Sequence, residues 1–401
     1  MKIILLIIDG LGDRPIQELG NKTPLEAARK PNLDLMAKQG IVGLVKPTYY
    51  VGPFPTSKDA HLSLFGYDLR KWQMGRGVFE AFGVDWAFRK GDVALRGNFA
   101  TIDPETKKII DRRAGRIEKT EPLIEALQGM KIKGIHFFLR KSVYQRIAVI
   151  MRGKGLSEKV SDGDLHVDKI VAPKIKPQVN KRDAFFTAQV LNEFLEKSHQ
   201  ILESHSFNHK RVKQGLLPAN YILLREAGIK KALPSFRKLW GFRACCVAGG
   251  GLYRGIAKAL GMDLINVKGA NGKDNTNLKG KFEAAEKALS EYDFVYCHVK
   301  AVDNFGHDGD CLGKKKMIEK IDEFLPVLLR SKAVLVVTGD HCTPCSLKEH
   351  SSDLIPVLVF GDGQDRVKTF SEKACRVGGL GLVRGIDLLH KIIKISSTNV
   401  N

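Results

Sequence analysis

Six carboxylate and imidazole residues follow apolar runs in this chain. Asp9 follows IILLII, Asp303 and His307 follow FVYCHVK, Asp340 and His341 follow AVLVVT, and His350 comes nine residues after His341. Carboxylates mixed with imidazoles suit Mn, Zn, Fe or Mg better than a soft thiolate site would. Asp303 and His307 are four apart, so one helical turn or short loop can offer both to one ion. Asp340 and His341 are adjacent, so their side chains diverge and can serve two neighbouring ions. A two-metal site stabilises the attacking and leaving oxygens of phosphoryl transfer or hydrolysis. Each residue also has an ordinary use: Asp9-Gly10 is a common turn, Asp303 fits a helix cap, and a lone His350 fits a surface. Their joint placement at strand ends favours a site, because open α/β sheets bind ligands at the carboxyl ends of their strands.

Residues 55–68, PTSKDAHLSLFGYD, hold three hydroxyls, Thr56, Ser57 and Ser63. Turn chemistry runs there into helix-compatible sequence from about Ala60. Taken alone, the stretch favours a helix cap, which accepts a free backbone N–H, over a nucleophile, and only the rest of the chain shifts that balance. Other phosphate signatures are weak. No G-x-x-x-x-G-K-[ST] follows the first strand, and GGGLYRG (249–255) lacks dinucleotide-binding spacing. Its glycines still allow backbone to approach an anion.

The elements that must position these residues alternate. KIILLIIDGLGD is a strand and loop, TPLEAARKPNLDLMAKQG a helix capped by Thr23, and IVGLVKP a short strand. From about residue 241, FRACCVAG, DLINVKGA, FVYCHVK, AVLVVTGD and LIPVLVFG read as buried strands, mostly separated by helices. The middle differs. DVALRGNFATID, KKIIDRRAG, GIHFFLRK and YQRIAVIMRGKG have hairpin-like spacing. A helix around ALQGM lies among them, and a long amphipathic helix, AFFTAQVLNEFLEKSHQILESH, follows. The expectation is one α/β sheet interrupted by an α+β insertion. The segments are 1–74, 75–185 and 186–401, with the tail SSTNVN frayed.

Bulk properties narrow the class. The chain has 401 residues and 43% hydrophobic content, enough for two or three domains with real cores. IILLII is too short to span a bilayer and lacks a cleavage region, so a soluble, cytoplasmic protein is expected, with no membrane partner. The net charge of +21 comes from basic residues spread along the chain, without zinc-finger spacing, RNP signature or basic-aromatic repeat. That pattern favours lysine bias and an anionic small-molecule substrate over nucleic acid. Seven cysteines, an odd number, argue for a reducing compartment without a disulfide framework. The Cys342-x-x-Cys345 pair lacks a second such pair to complete a thiolate metal site. Oligomeric state is not legible.

In order along the chain, LLIIDGLGDRP, AHLSLFGYD, GRGVFEAFG, NFATID, DRRAGR, HVKAVDNFGHDGD and TGDHCTPCSLKEHSSDLIPV resemble the archaeal type of cofactor-independent phosphoglycerate mutase, within the alkaline phosphatase superfamily. The resemblance implies an alkaline-phosphatase-like α/β/α sandwich with a smaller α+β domain inserted after the nucleophile helix. It implies two divalent ions, usually manganese, with Mg, Co or Zn as other choices. One ion would be held by Asp303, His307 and His350, the other by Asp9, Asp340, His341 and the nucleophile Ser57. His61, a candidate substrate contact, stands at the family's histidine four residues beyond that serine.

The implied reaction interconverts 3- and 2-phosphoglycerate by double displacement through a phosphoserine. Retained glycerate needs arginines, which bind carboxylate and phosphate bidentately. The candidates are Arg112, Arg113 and Arg116 of DRRAGR, with Arg225 and Arg254. Asp111 is the candidate acid/base and Lys300 a phosphate-facing cation. Two departures from the family pattern stand beside the nucleophile. Lys58 replaces a carboxylate, and the preceding loop VGPFPT is poorer in glycine. A phosphatase or a homoserine-kinase-like phosphotransferase on the same metal site is the alternative reading.

Overall fold

The computed structural model describes residues 1–48 and 55–398. Residues 51–54 of the VGPFPT loop and 399–401 of the tail lie outside the described residues. Within the tail, residues 396–398 belong to the final helix, Leu388–Thr398, rather than to a frayed end.

Among the described residues there are fourteen strands. They are β1 (Ile3–Ile8), β2 (Ile41–Lys46), β3 (Val93–Ile102), β4 (Ile109–Asp111), β5 (Lys131–Ile132), β6 (Ile135–Lys141) and β7 (Arg146–Arg152). Then come β8 (Tyr221–Ile229), β9 (Ala244–Val247), β10 (Asp263–Leu264), β11 (Phe294–Val299), β12 (Val334–Thr338), β13 (Ile355–Phe360) and β14 (Gly381–Arg384). DLINVKGA thus yields strand only at its first two residues.

The chain divides into two compact units, Met1–Gln73 with Leu233–Asn401, and Met74–Ala232. The first holds an eight-stranded sheet in the order β10-β9-β11-β1-β12-β13-β2-β14. β1 lies in its interior, parallel to β11 on one side and β12 on the other. All six residues of IILLII are fully buried, as expected for a parallel strand covered on both faces. β13 runs antiparallel to both its neighbours. β1, β11 and β12 therefore end side by side on one rim, where the sequence places Asp9, Asp303 and Asp340.

The second unit holds a six-stranded sheet in which β3 pairs antiparallel with β4, β7 and β8. The insertion was expected to end at residue 185; it continues to Ala232. The helix Arg182–Glu203 packs on this unit's core, with Phe194 stacked on Phe137 of β6 at 4.1 Å. The side chain of Asn220 caps the end of β3, taking the Ile102 N–H and donating to the Ile102 carbonyl, each at 2.9 Å. An amphipathic helix looks the same in sequence whichever sheet it covers, so its side had to be read from packing.

Candidate metal centre and nucleophile

Asp9 leaves β1 with its backbone N–H bonded to the Val299 carbonyl at the end of β11. Gly10 follows at φ 65, where an added Cβ would lie 2.7 Å from Thr343 Oγ1 and 2.8 Å from Asp303 Cα. Glycine is required by both the backbone angle and the approach, which lets the Asp9 turn close against Asp303. Asp303 and His307 share the helix Ala301–Asp308, one turn apart. Asp340 and His341 follow β12 after a single residue, Gly339.

The nucleophile candidate begins a helix. Ser57 is the first residue of the helix Ser57–Leu64, three residues earlier than the expected start. Thr56 is its N-cap, accepting the Asp59 N–H at 3.2 Å. Ser63 is buried in the last turn. That leaves Ser57, whose Oγ lies 3.1 Å from His341 Nε2.

The donors around His341 order themselves. Thr343 Oγ1 donates to Asp303 Oδ1 at 2.6 Å and lies 3.1 Å from His341 Nδ1. With its proton given to Asp303, Thr343 must accept from Nδ1–H. His341 then turns the Nε2 lone pair toward Ser57 Oγ, Asp340 Oδ2 at 3.2 Å and Asp9 Oδ1 at 3.5 Å. Burial, reinforced by His350, holds the His341 imidazole well below its ordinary pKa and therefore neutral, as a ligand must be.

Two groups of donor atoms emerge: Asp9, Asp340 and His341, and Asp303, His341 and His350, all within 4.8 Å of one another in each group. His350 donates from Nδ1 to the Pro55 carbonyl and leaves Nε2 3.7 Å from Asp303 Oδ1. His307 stands outside both groups but faces the second. Its Nδ1 donates to the Lys348 carbonyl and its Nε2 lies 3.5 Å from Asp303 Oδ2. Each ring is thus oriented through its other nitrogen, the usual device for presenting histidine to a metal.

The residues fit divalent cations. Asp340 Oδ1 accepts two backbone N–H groups, from Gly10 and His341, each at 3.1 Å. Its Oδ2 is buried with no hydrogen-bond partner among the described residues. Burial and the neighbouring Asp9 charge push the Asp340 carboxyl well above its ordinary pKa. A buried oxygen in that position needs a cation to stay ionised. Asp9 differs: burial would raise it, but Lys300, His298 and His341 outweigh burial and hold it well below the ordinary range.

Two contributors escaped the sequence reading. His298, inside β11, donates from Nε2 to Asp9 Oδ2 at 3.0 Å and stacks on Tyr253 at 3.5 Å. Thr343 is the other. A histidine buried in the apolar strand FVYCHVK was the available signal for the first; nothing marked the second.

The Metalloenzyme superfamily profile matches residues 1–394. A 2,3-bisphosphoglycerate-independent phosphoglycerate mutase 1 of Archaeoglobus fulgidus is 44% identical over 402 residues, covering 97% of each chain. The chain belongs to the 2,3-bisphosphoglycerate-independent phosphoglycerate mutases. The solved cofactor-independent phosphoglycerate mutase of Thermoplasma acidophilum agrees, at 34% identity and TM-score 0.67 over 99% of this chain and all of that one. A Pyrococcus horikoshii protein superposes at TM-score 0.83 with 33% identity, over 100% of this chain and 98% of that one. Membership of a metalloenzyme family carries divalent-metal binding with it.

The other residues nominated by the mutase resemblance fall in different places. Lys300 is in the centre: its Nζ donates to Asp9 Oδ1 at 3.0 Å and to Asp303 Oδ2. Lys58 pairs with Asp59 Oδ1 at 3.1 Å. His61 was expected to touch substrate. It is fully buried against Tyr253 and Tyr296, and its Nδ1 donates to the Ser57 carbonyl at 2.7 Å. It props the turn that carries Ser57. Arg254 donates to Asn266 Oδ1 at 2.9 Å and so holds its own unit together. In the second unit, Asp111 accepts the N–H groups of Arg113 and Gly115 at 2.7 and 2.8 Å. It stabilises its own turn, which does not suit an acid/base role. Arg112 is committed to Asp164 at 2.7 Å, Arg113 and Arg116 are exposed, and Arg225 is buried.

Proposed function

We propose that this chain interconverts 3-phosphoglycerate and 2-phosphoglycerate without a bisphosphoglycerate cofactor, through a phosphoserine on Ser57. The observation that carries this reading is the placement of Ser57 Oγ, 3.1 Å from His341 Nε2, at the start of a helix. Ser57 Oγ forms a bond to phosphorus as the bond to one glycerate oxygen breaks. In the second half it returns the phosphoryl group to the other oxygen. The first turn of the helix Ser57–Leu64 presents free N–H groups and a positive dipole end to that phosphoryl group. Lys300 adds positive charge beside Asp9 and Asp303.

Two divalent ions belong to this reading, one toward Asp9, Asp340, His341 and Ser57, the other toward Asp303, His350 and His307. Manganese is the first choice for such a mixed oxygen and nitrogen set. When bound, the ions lower the pKa of the attacking hydroxyl and neutralise the transferring group. The reading places the enzyme in the cytoplasm. Its seven cysteines are all free, in keeping with a reducing compartment. Among the described residues no helix is long and apolar enough to cross a membrane.

The test is an enolase-coupled assay on purified protein with Mn²⁺ and no 2,3-bisphosphoglycerate. Steady conversion is expected. Absence of conversion overturns the reading, and phosphate release exceeding conversion assigns a phosphatase instead.

A further inference from the structure

A fully buried ammonium lies next to the metal centre, in the same unit and outside both donor groups. Lys314 stands in the first turn of the helix Cys311–Phe324, and neither its side chain nor that of Asp13 reaches solvent. Gly309 and Asp310 alone separate this helix from the helix Ala301–Asp308. Asp310 caps it by accepting the Gly313 N–H at 2.7 Å, and the Lys314 N–H bonds to the Asp310 carbonyl at 2.9 Å. The root of Lys314 is thereby tied to the helix that carries Asp303 and His307.

The three ammonium protons meet three acceptors. Nζ donates to Asp13 Oδ2 at 2.7 Å, to the Thr343 carbonyl at 2.9 Å and to the Gly12 carbonyl at 3.1 Å. Gly12 and Asp13 belong to the loop that follows Asp9, and Thr343 to the loop that follows Asp340 and His341. Asp13 extends the join. Its carboxylate also accepts the Arg14 N–H at 2.8 Å and the Cys345 N–H at 3.2 Å. The loops meet directly as well, with the Thr343 N–H on the Gly12 carbonyl at 3.2 Å. A Cβ on Gly306 would lie 2.5 Å from the Thr343 carbonyl oxygen, so the helix of Asp303 presses on the same peptide. Thr343 is therefore held at its backbone by Lys314 while its hydroxyl orders Asp303 and His341.

Packing does not account for a lysine here. Met317, Ile318 and Ile321 of the same helix are buried in the main core, and an apolar side chain of lysine's length would continue it. Taking an ammonium and a carboxylate out of water offsets most of their attraction, so a buried pair stabilises little more than apolar residues of the same volume. What such a pair adds is a single arrangement, because its donors and acceptors are satisfied together in that arrangement alone.

We propose that Lys314, with Asp13 as its counter-ion, is a positioning residue for the metal centre. It joins the three segments that deliver Asp9, Asp303 and the pair Asp340 and His341. Through the Thr343 peptide it sets the hydroxyl that orients donors of both groups. The inference rests on the metal-binding part of the proposed function and on no step of its chemistry.

The test compares full-length proteins by Mn²⁺ titration followed by electron paramagnetic resonance. Lys314→Met alone leaves the Asp13 carboxylate buried and unpaired and is expected to lose its fold. Asp13→Asn combined with Lys314→Met removes both charges and leaves the net charge of the region as it was. An altered affinity then reports geometry rather than field. In chelator the double variant should melt within about 4 °C of wild type, because replacing a whole buried pair is close to neutral. Its Mn²⁺ affinity should fall roughly 10–100-fold, the scale on which residues that orient metal ligands act. Lys315→Met, which breaks a pair with Glu319 on the same helix, should leave that affinity unchanged. Wild-type affinity in a folded double variant overturns the assignment. So does a double variant that no longer folds in chelator, which would make the pair a support of the fold alone. If wild type binds Mn²⁺ but does not convert phosphoglycerate, the mutase reading falls while the affinities still decide the role of Lys314. If wild type binds no Mn²⁺, the metal-binding reading and this assignment fall together.

Discussion

Ser57 Oγ lies 3.1 Å from His341 Nε2, although 284 residues separate the two in sequence. The contact selects one hydroxyl from three. Thr56 spends its oxygen on the helix cap, and Ser63 is buried in the helix's last turn. Ser57→Ala should therefore lower turnover by at least about 10³-fold, the scale on which loss of a nucleophile acts. Its circular dichroism and melting temperature should match wild type. Ser63→Ala should keep activity within about threefold, since a single buried hydroxyl contributes on the order of 1 kcal/mol to stability. Near-normal turnover by Ser57→Ala in the enolase-coupled assay would show that the wrong hydroxyl has been chosen.

Thr343 supports that contact from the other side of the ring. It receives His341 Nδ1–H and gives its own proton to Asp303, so one hydroxyl orients residues of both donor groups. Thr343→Val keeps the shape and removes both bonds. Loss of an outer partner of this kind weakens metal binding by roughly 10–100-fold. Mn²⁺ titration followed by electron paramagnetic resonance reads the affinity directly. Unchanged affinity would reduce Thr343 to packing.

Asp9, Asp303, Asp340 and His341 were legible because each interrupts or follows an apolar run that can only be a buried strand. The parallel sheet then brings those ends together without further information. Thr343 was not legible. Its role depends on a 2.6 Å contact with a residue forty positions away, and threonine after a strand is unremarkable. The arginines could not be sorted from sequence for a related reason. Sequence shows five guanidiniums near the motifs but not which are buried or already paired. Asp164 bonds Arg112 at 2.7 Å but stands 3.9 Å from the more deeply buried Arg225. The far end of the insertion was missed because LLREAG, the middle of β8, places charge in a strand that antiparallel pairing nevertheless buries.

Metal removal should cost stability as well as activity. The buried carboxylates Asp9, Asp303 and Asp340 are 0–1% exposed and crowd one centre. A cation bound at a thousand times its dissociation constant stabilises the fold by about 4 kcal/mol. Dialysis against a chelator should abolish conversion and lower the melting temperature by roughly 10 °C for a unit of this size. Mn²⁺ should restore both. Retention of full activity after exhaustive chelation would remove the metal from the reaction.

A separate pH dependence comes from Glu372. Its carboxylate accepts Thr23 Oγ1 at 2.7 Å and the Asp13 N–H at 3.1 Å. Burial outweighs those bonds and the Lys314 charge, and raises its pKa from 4.5 to about 7. The folded state therefore holds this proton more tightly than the unfolded chain does. The resulting stabilisation is complete below pH 4.5, fades between pH 4.5 and about 7, and is lost above that. A shift of this size amounts to about 3 kcal/mol. Glu372→Gln mimics the protonated form at every pH. Between pH 5 and pH 8, wild type should therefore lose roughly 5 °C or more of melting temperature relative to the variant, read by calorimetry in chelator-free buffer. Parallel curves for the two proteins would show that this carboxyl ionises alike in the folded and unfolded chain, and the predicted link between Glu372 and stability would be wrong.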